Sequence, residues 1–347
     1  MQPTDLLASG RRGEPAGDAR TERGPRGVGR AHGKAILLGE HAVVYGAPAL
    51  VIPMPQLTAT ATATRLPDPG GGTGKISFAM AGPGSAAVTP LATDGLGHLV
   101  AEFKELVGLA GPLYVDVVIE STIPQGRGLG SSAACARAAV LALANAFGHR
   151  LTADEVYDLV QSSERVAHGR ASGIDTVATG ATSALVFRSG TAHELPDGSA
   201  EHPDAAFVVA DSGAGGSTKD AVELLGNRFE RDEAARDAFV NGVTNLTAAA
   251  LRDLAHGELG DFGGRLTENH RLLQEIGIST DPIDALVETA LVAGGLGAKI
   301  TGGGLGGCMI ALAEDAHRAA AVSRSLDEAG AARTWIVPMR RVASHGD

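Results

Sequence analysis

Three glycines and two serines stand close together in Pro124-Gln125-Gly126-Arg127-Gly128-Leu129-Gly130-Ser131-Ser132-Ala133-Ala134. A strand-like run, Tyr114 to Glu120, precedes this stretch, and an alanine-rich run that is typical of a helix, Ala133 to Phe147, follows it. Glycines let a backbone turn tightly and approach a ligand, and a helix N-terminus binds anions, above all phosphate. The pattern predicts a nucleotide phosphate loop in which Ser131 or Ser132 offers a hydroxyl to Mg²⁺. A glycine-rich turn with an ordinary serine cap fits the same residues.

The composition limits the class of protein. A chain of 347 residues with 44% hydrophobic and 20% charged side chains indicates a globular protein of about two domains. The net charge of −11 argues against a nucleic-acid or membrane-surface partner. Two cysteines exclude a disulfide scaffold and favour the reduced cytoplasm. The sequence shows neither an apolar run that could span a bilayer nor a signal peptide.

Strands and helices occur in both halves of the chain, which indicates the α+β class. Residues 1–30 are rich in Gly, Arg, Glu and Pro, so we expect a disordered extension. We expect an N-terminal domain over 31–195, which contains the predicted nucleotide phosphate loop, and a C-terminal domain over 196–347, divided near a turn-rich segment. Ala42 to Tyr45 is predicted to be extended.

Two further segments pair glycine or small residues with charge. Lys34 opens an apolar strand and Glu40-His41 ends it. The lysine could lie beside a reacting hydroxyl or a phosphate, or be a solvated strand end, and the histidine could be structural. Glu164 and His168 share one helix face, and Asp175 follows in a loop. The carboxylates suit phosphoryl transfer and Mg²⁺ binding, although a solvated helix face and a turn or helix cap remain alternatives.

Ile300 to Gly307 joins two short strands through five glycines. Glycines against core strands predict a close backbone approach, either to a ligand or to the first glycine loop. A tight packed turn is the alternative.

Taken together, these segments resemble the GHMP kinase superfamily from Gly33 to about Val337. Gly33 to Leu50 and Glu164 to Asp175 look most like the corresponding segments of its mevalonate kinase branch. The resemblance implies an N-terminal domain like ribosomal protein S5 domain 2 and a ferredoxin-like C-terminal domain. It also implies transfer of the ATP γ-phosphate to the primary hydroxyl of (R)-mevalonate, which gives 5-phosphomevalonate for isoprenoid synthesis.

The resemblance also implies a role for each matched residue. Asp175 would be the catalytic base, and Lys34 would stabilise it and the developing alkoxide. Ser132 and Glu164 would bind Mg²⁺. The substrate pocket would include Glu40, His41 and Thr218. The ATP phosphates would be bound by Gly126, Arg127, Gly128, Leu129, Gly130, Ser131, Ser132 and Ala133.

Other functions remain open at this point. A phosphomevalonate kinase would want extra cations for a substrate phosphate, and another GHMP small-molecule kinase or a non-catalytic nucleotide-binding relative is also an alternative. Lys34, Ser132, Glu164 and Asp175 together argue against the non-catalytic relative. The sequence does not decide whether the chain forms a homodimer.

Overall fold

The structure is a computed structural model, and it describes residues 24–70, 72–82, 88–90, 94–169, 171–195, 204–216 and 218–339. Within these ranges the chain forms two sheets, each covered by helices, as expected for the α+β class. No helix in these ranges has the length and apolar character that a bilayer crossing needs.

The first sheet is built around its longest strand, β2, which pairs with β1 along one side and with β5 and then β6 along the other. The order is β4-β3-β5-β2-β6-β7, with β1 beside β2. The pairing of β3 with β5 is parallel and the other pairings are antiparallel. The strands are β1 (Arg26–Leu38), β2 (Ala49–Arg65), β3 (Lys75–Ala81), β4 (Val88–Pro90), β5 (Tyr114–Ser121), β6 (Leu185–Arg188) and β7 (Thr191–Glu194).

Helix α2 (Ser131–Phe147) packs closely on β1 because both contact faces consist of small residues. Most of its alanines are buried, and β1 presents Gly27 and Gly29 to it. The other helices of this half are α1 (Asp94–Leu106), α3 (Ala153–His168) and α4 (Ile174–Ala178).

The expected disorder of residues 1–30 is wrong for Arg26 to Arg30, which form the start of β1 and pair with Thr60 to Thr64. Residues 1–23 lie outside the described part of the chain. The low content of bulky apolar residues was misleading, because this strand is buried against an alanine-rich helix. There, glycine is the residue that fits.

Replacing Gly29 with alanine is expected to lower the free energy of unfolding by about 1–3 kcal/mol through overpacking. A Cβ there would lie 2.1 Å from the Ala138 carbonyl oxygen and 2.5 Å from the Ala142 nitrogen. Urea denaturation measures the change. The control is Gly97→Ala in α1, where a Cβ meets nothing within 4 Å and alanine should add about 0.5–1 kcal/mol. Equal effects of the two substitutions would contradict the close packing of β1 on α2.

The second sheet has the order β11-β8-β10-β9, and all its pairings are antiparallel. Strand and helix succession with this order is the ferredoxin-like arrangement, as the family resemblance implied. Its strands are β8 (Ala206–Asp211), β9 (Gly297–Thr301), β10 (Cys308–Ala313) and β11 (Arg333–Pro338). Its helices are α5 (Thr218–Arg231), α6 (Glu233–Ala255), α7 (Leu259–Glu275), α8 (Asp281–Val292) and α9 (Ala316–Glu328).

The two halves meet where the glycine segments touch. A Cβ on Gly302 would lie 2.5 Å from the Gly128 Cα. Strand β9 also reaches β1, because the Thr301 hydroxyl accepts from the Ile36 N–H at 3.0 Å and donates to the Ile36 carbonyl at 2.8 Å. Of the two partners proposed for the Ile300 to Gly307 segment, the first glycine loop is therefore in direct contact with it.

Candidate active site

The predicted phosphate loop leads directly into α2. Gly126, Gly128 and Gly130 all have positive φ, at 64°, 76° and 76°, a region that glycine enters without a steric penalty. The N-cap is Gly130, and no side chain caps the helix, so the alternative of an ordinary serine cap does not apply. Ser131 is the first helical residue, and the N-terminal N–H groups have no side-chain acceptor at the cap.

Lys34 and Asp175 form an ion pair beside this loop. The Lys34 ammonium lies 3.0 Å from Asp175 Oδ1 and donates to the Gly128 carbonyl at 3.0 Å. The side chain of Lys34 is 2% exposed and that of Asp175 is 35% exposed. The lysine is therefore held inside the protein, while the carboxylate is accessible to a ligand. The alternative of a solvated strand end does not apply to Lys34.

Ser132 and Glu164 form a second polar pair at the start of α2. The Ser132 hydroxyl donates to Glu164 Oε1 at 2.6 Å, and His168 Nε2 lies 3.7 Å from Glu164 Oε2. Burial raises the pKa of Glu164, the hydrogen bond from Ser132 opposes this change, and the charge of Asp175 adds to it. The predicted metal pair is therefore close to the predicted base.

Glu40 and His41 lie at the end of β1 and are both buried. His41 has a φ of 61°, which is uncommon for a residue with a side chain. Burial, together with the charge of Lys299, lowers the pKa of His41 to about 4, so the imidazole is neutral at pH 7. The next residues form a short 3-10 helix, Ala42–Tyr45, and not the extended chain that was predicted.

The remaining predicted residue of the pocket, Thr218, lies at the exposed start of α5. A Cβ on Gly303 would lie 2.2 Å from its hydroxyl oxygen. A Cβ on the next residue, Gly304, would lie 3.5 Å from His41 Nε2. The third glycine segment therefore contacts both Thr218 and the His41 ring.

Lys299, which was not among the predicted site residues, is completely buried on β9. Its ammonium contacts Glu40 Oε1 and the Ile300 carbonyl. A signal was present, because Ala298-Lys299-Ile300 sets a lysine in an apolar strand next to glycines, as Gly33-Lys34-Ala35 does.

Arg127, which was assigned to the ATP phosphates, is engaged with another part of the chain. Its Nε lies 3.0 Å from Asp211 Oδ1, and its Nη2 donates to the Gly213 carbonyl at 2.9 Å. The side chain joins the phosphate loop to the end of β8, so its charge is partly neutralised before any nucleotide binds.

A cavity of about 390 Å³ lies beside the loop that leads to Asp175. It is lined by the 3-10 helix, by the loop around Ser172 and by the turn at Ser189, with Arg165 at its edge. None of the predicted catalytic or metal-binding residues lines it, so the candidate active site lies at the polar contacts around the phosphate loop and not in this cavity.

Comparisons with known proteins agree with this arrangement. Family models for the GHMP kinases N terminal domain and the GHMP kinases C terminal match residues 96–183 and 250–332. A mevalonate kinase from Thermococcus sibiricus is 32% identical over 311 residues, which cover 84% of this chain and 90% of that protein. The chain therefore belongs to the GHMP kinases and, within them, to the mevalonate kinase family.

Solved structures of this family have the same fold. The L. major mevalonate kinase in complex with R-mevalonate gives a TM-score of 0.74 at 24% identity, over 94% of this chain and 99% of that one. At this identity the likeness shows the fold alone. The mevalonate kinase from Staphylococcus aureus MRSA252 gives a TM-score of 0.65 at 28% identity, over 91% and 99%.

Proposed function

We propose that this protein transfers the γ-phosphate of ATP to the primary hydroxyl of (R)-mevalonate, giving 5-phosphomevalonate and ADP. One observation carries the chemistry: the Lys34–Asp175 ion pair lies against the glycine loop that begins α2. The acceptor is supported by the mevalonate kinases that match most of the chain. The reaction belongs to isoprenoid synthesis, and we propose a cytoplasmic enzyme that acts on small molecules.

In the proposed mechanism Asp175 accepts the proton of the acceptor hydroxyl. The hydroxyl oxygen forms a bond to the γ-phosphorus, the bond to the bridging oxygen breaks, and ADP leaves. Lys34 stabilises the negative charge of Asp175 and of the attacking oxygen. The N–H groups of residues 126–133 bind the phosphates, because a helix N-terminus and glycine turns offer donors to an anion. Positioning and electrostatic stabilisation supply most of the catalysis in such reactions.

Ser132 and Glu164 would hold Mg²⁺. Their hydroxyl and carboxylate oxygens are the hard ligands that this ion prefers, and Mg²⁺ usually keeps several waters and contacts phosphates as well. In the part of the chain that the structure describes, no three His, Cys, Asp or Glu side chains form a metal cage. When bound, the ion would neutralise phosphate charge.

Replacing Glu164 with glutamine is expected to raise the Mg²⁺ concentration for half-maximal activity at least about tenfold, equivalent to about 1.4 kcal/mol. The amide keeps the shape of the side chain but loses its charge. The control is Glu155→Gln at the start of the same helix, where Glu155 accepts from the Thr152 N–H in a capping box that glutamine also satisfies. An unchanged Mg²⁺ requirement in Glu164→Gln would remove this residue from the metal site.

We propose that Glu40, His41 and Thr218 line the acceptor pocket. The supporting observation is that His41 and Thr218 both lie against the glycines at 303–304.

A homodimer remains a proposal that gel filtration with light scattering would test.

ADP release by the purified protein tests the proposed function. Mg-ATP is offered with mevalonate, phosphomevalonate, homoserine or galactose in parallel assays. Turnover with mevalonate alone is the expected result. Turnover with another acceptor would keep the kinase chemistry and move the substrate, whereas tight ATP binding without turnover would favour a non-catalytic role.

A further inference from the structure

A buried ion pair joins the two halves of the molecule next to the proposed acceptor pocket. Lys299 on β9 and Glu40 at the end of β1 are 0% and 2% exposed at their side chains. The ammonium of Lys299 contacts Glu40 Oε1 and the Ile300 carbonyl, the latter at 2.6 Å. One carboxylate oxygen of Glu40 is therefore fixed by a charged donor.

The other carboxylate oxygen has no partner among the described residues. Glu40 Oε2 is buried without a hydrogen bond, and so is His41 Nε2 on the next residue. A buried polar atom without a partner destabilises the folded protein, and a charged one does so more strongly. Beside the proposed acceptor pocket, Glu40 Oε2 is therefore free to accept a hydrogen bond from a bound molecule.

Stability alone does not explain the pair. A buried ion pair often contributes no more than well-packed apolar residues of the same volume, because both charges lose their hydration. The contact between β1 and β9 also has another polar connection, since the Thr301 hydroxyl bonds to both backbone groups of Ile36. Stability therefore does not account for two charged residues at this position, and a role in function is the other explanation.

We infer that Lys299 is a positioning residue for the acceptor: it holds the Glu40 carboxylate ionised and oriented, so that Oε2 accepts a hydrogen bond from a hydroxyl group of that molecule. This inference rests on the proposed function. Lys299 itself does not touch the acceptor, and it acts through Glu40. Asp175, which is paired with the other lysine, remains the group that meets the reacting hydroxyl.

The charges around Glu40 agree with this role. Burial raises the pKa of Glu40, and the charge of Lys299 opposes the rise, with a smaller contribution from Lys34 on β1. The adjacent His41 is neutral at pH 7. His270 on α7 is another titratable group near Lys299. Burial lowers the pKa of His270 to about 4 and Asp284 on α8 opposes this change, so this imidazole adds no positive charge at pH 7. Lys299 is therefore the main group that keeps Glu40 charged.

The test is Lys299→Met, with steady-state kinetics over a range of pH. We expect the KM for mevalonate to rise about tenfold or more, the effect of losing a hydrogen bond to a charged group. The KM for ATP should stay within about twofold, because the nucleotide contacts are not changed. The acidic limb of kcat/KM for mevalonate should move up by about one pH unit or more, because an opposite charge near Glu40 is lost.

A second measurement does not depend on the substrate. In protein with ¹³C-labelled glutamate carboxyls, Glu40 is assigned by its absence in Glu40→Gln, and its titration is followed without ligand. Lys299→Met should raise the pKa of Glu40. An unchanged titration would overturn the inference even if mevalonate is the substrate. If Lys299→Met raises the pKa of Glu40 but the unmodified protein does not phosphorylate mevalonate, the proposed function is rejected, and acceptor positioning is rejected with it. The electrostatic effect of Lys299 on Glu40 would still be established.

Thr301→Val is the control, because Thr301 lies on the same strand as Lys299, is uncharged and hydrogen-bonds to Ile36 on β1. It should lower the melting temperature and leave the pH profile unchanged; a shifted profile would mean that the strand contact, and not the charge, is responsible. If Lys299→Met does not fold, Lys299→Met/Glu40→Gln removes both charges. A normal KM for mevalonate in this double variant would also overturn the inference.

Discussion

Replacing Asp175 with asparagine is expected to lower kcat by roughly 10²–10⁴-fold, the range for loss of a general base. The carboxylate lies 3.0 Å from the Lys34 ammonium and is partly open to solvent, so it can meet an acceptor hydroxyl. Asparagine keeps an oxygen that can accept from Lys34 but is not a base at neutral pH. Steady-state kinetics with saturating Mg-ATP and mevalonate measure the effect.

Mg-ATP affinity and the melting temperature separate catalysis from folding in this variant. Mg-ATP affinity should stay close to that of the unmodified protein, because the phosphate loop and its contact with Lys34 remain. The melting temperature should fall, because the buried Lys34 ammonium loses its charged partner, but a single cooperative unfolding transition should show that the variant is folded. Asp154→Asn, in the exposed first turn of α3, is the control and should keep full activity. Full turnover in Asp175→Asn would remove Asp175 from the proton transfer.

Replacing Gly128 with alanine is expected to lower the free energy of unfolding by roughly 2–5 kcal/mol, the sum of left-handed backbone strain and overpacking. Gly128 has a φ of 76°, and a Cβ there would lie 2.9 Å from the Gly302 Cα and 3.0 Å from the Gly303 nitrogen. The substitution pushes the two glycine segments apart, so the KM for ATP should also rise.

Gly126→Ala is the matched control in the same loop. Gly126 also has a positive φ, of 64°, but the nearest atom to a Cβ there is the Gly216 carbonyl oxygen at 3.9 Å. Only the backbone strain of about 1–2 kcal/mol should appear. Urea denaturation of both variants measures the difference. If Gly126→Ala and Gly128→Ala lose the same stability, the contact between the glycine segments is not responsible.

Local patterns predicted the local structure well. Thr152-Ala153-Asp154-Glu155 has the Ser/Thr-x-x-Glu pattern of a capping box, and both of its hydrogen bonds are present at the start of α3. Glycine spacing predicted the turn before α2. These predictions succeed because a cap or a tight turn depends on residues within a few positions of one another.

Predictions from local sequence and composition were wrong where tertiary contacts decide the structure. Arg26 to Arg30 are in a strand because β2 and the alanines of α2 offer partners that a composition rule does not see. Gly130, and not a serine, caps α2, and the Ser132 hydroxyl is used by Glu164, which is 32 residues away.

The sequence by itself determined the α+β class and the family, and it named the residues to which we assign the proposed chemistry, because these depend on motifs whose members are close in the chain. Only the tertiary structure decided which of those residues touch. Lys34 reaches Asp175, and Lys299 reaches Glu40 across 259 positions. The physical reason is that a buried charge must find an opposite charge wherever the fold brings one near, and sequence distance carries no information about that partner.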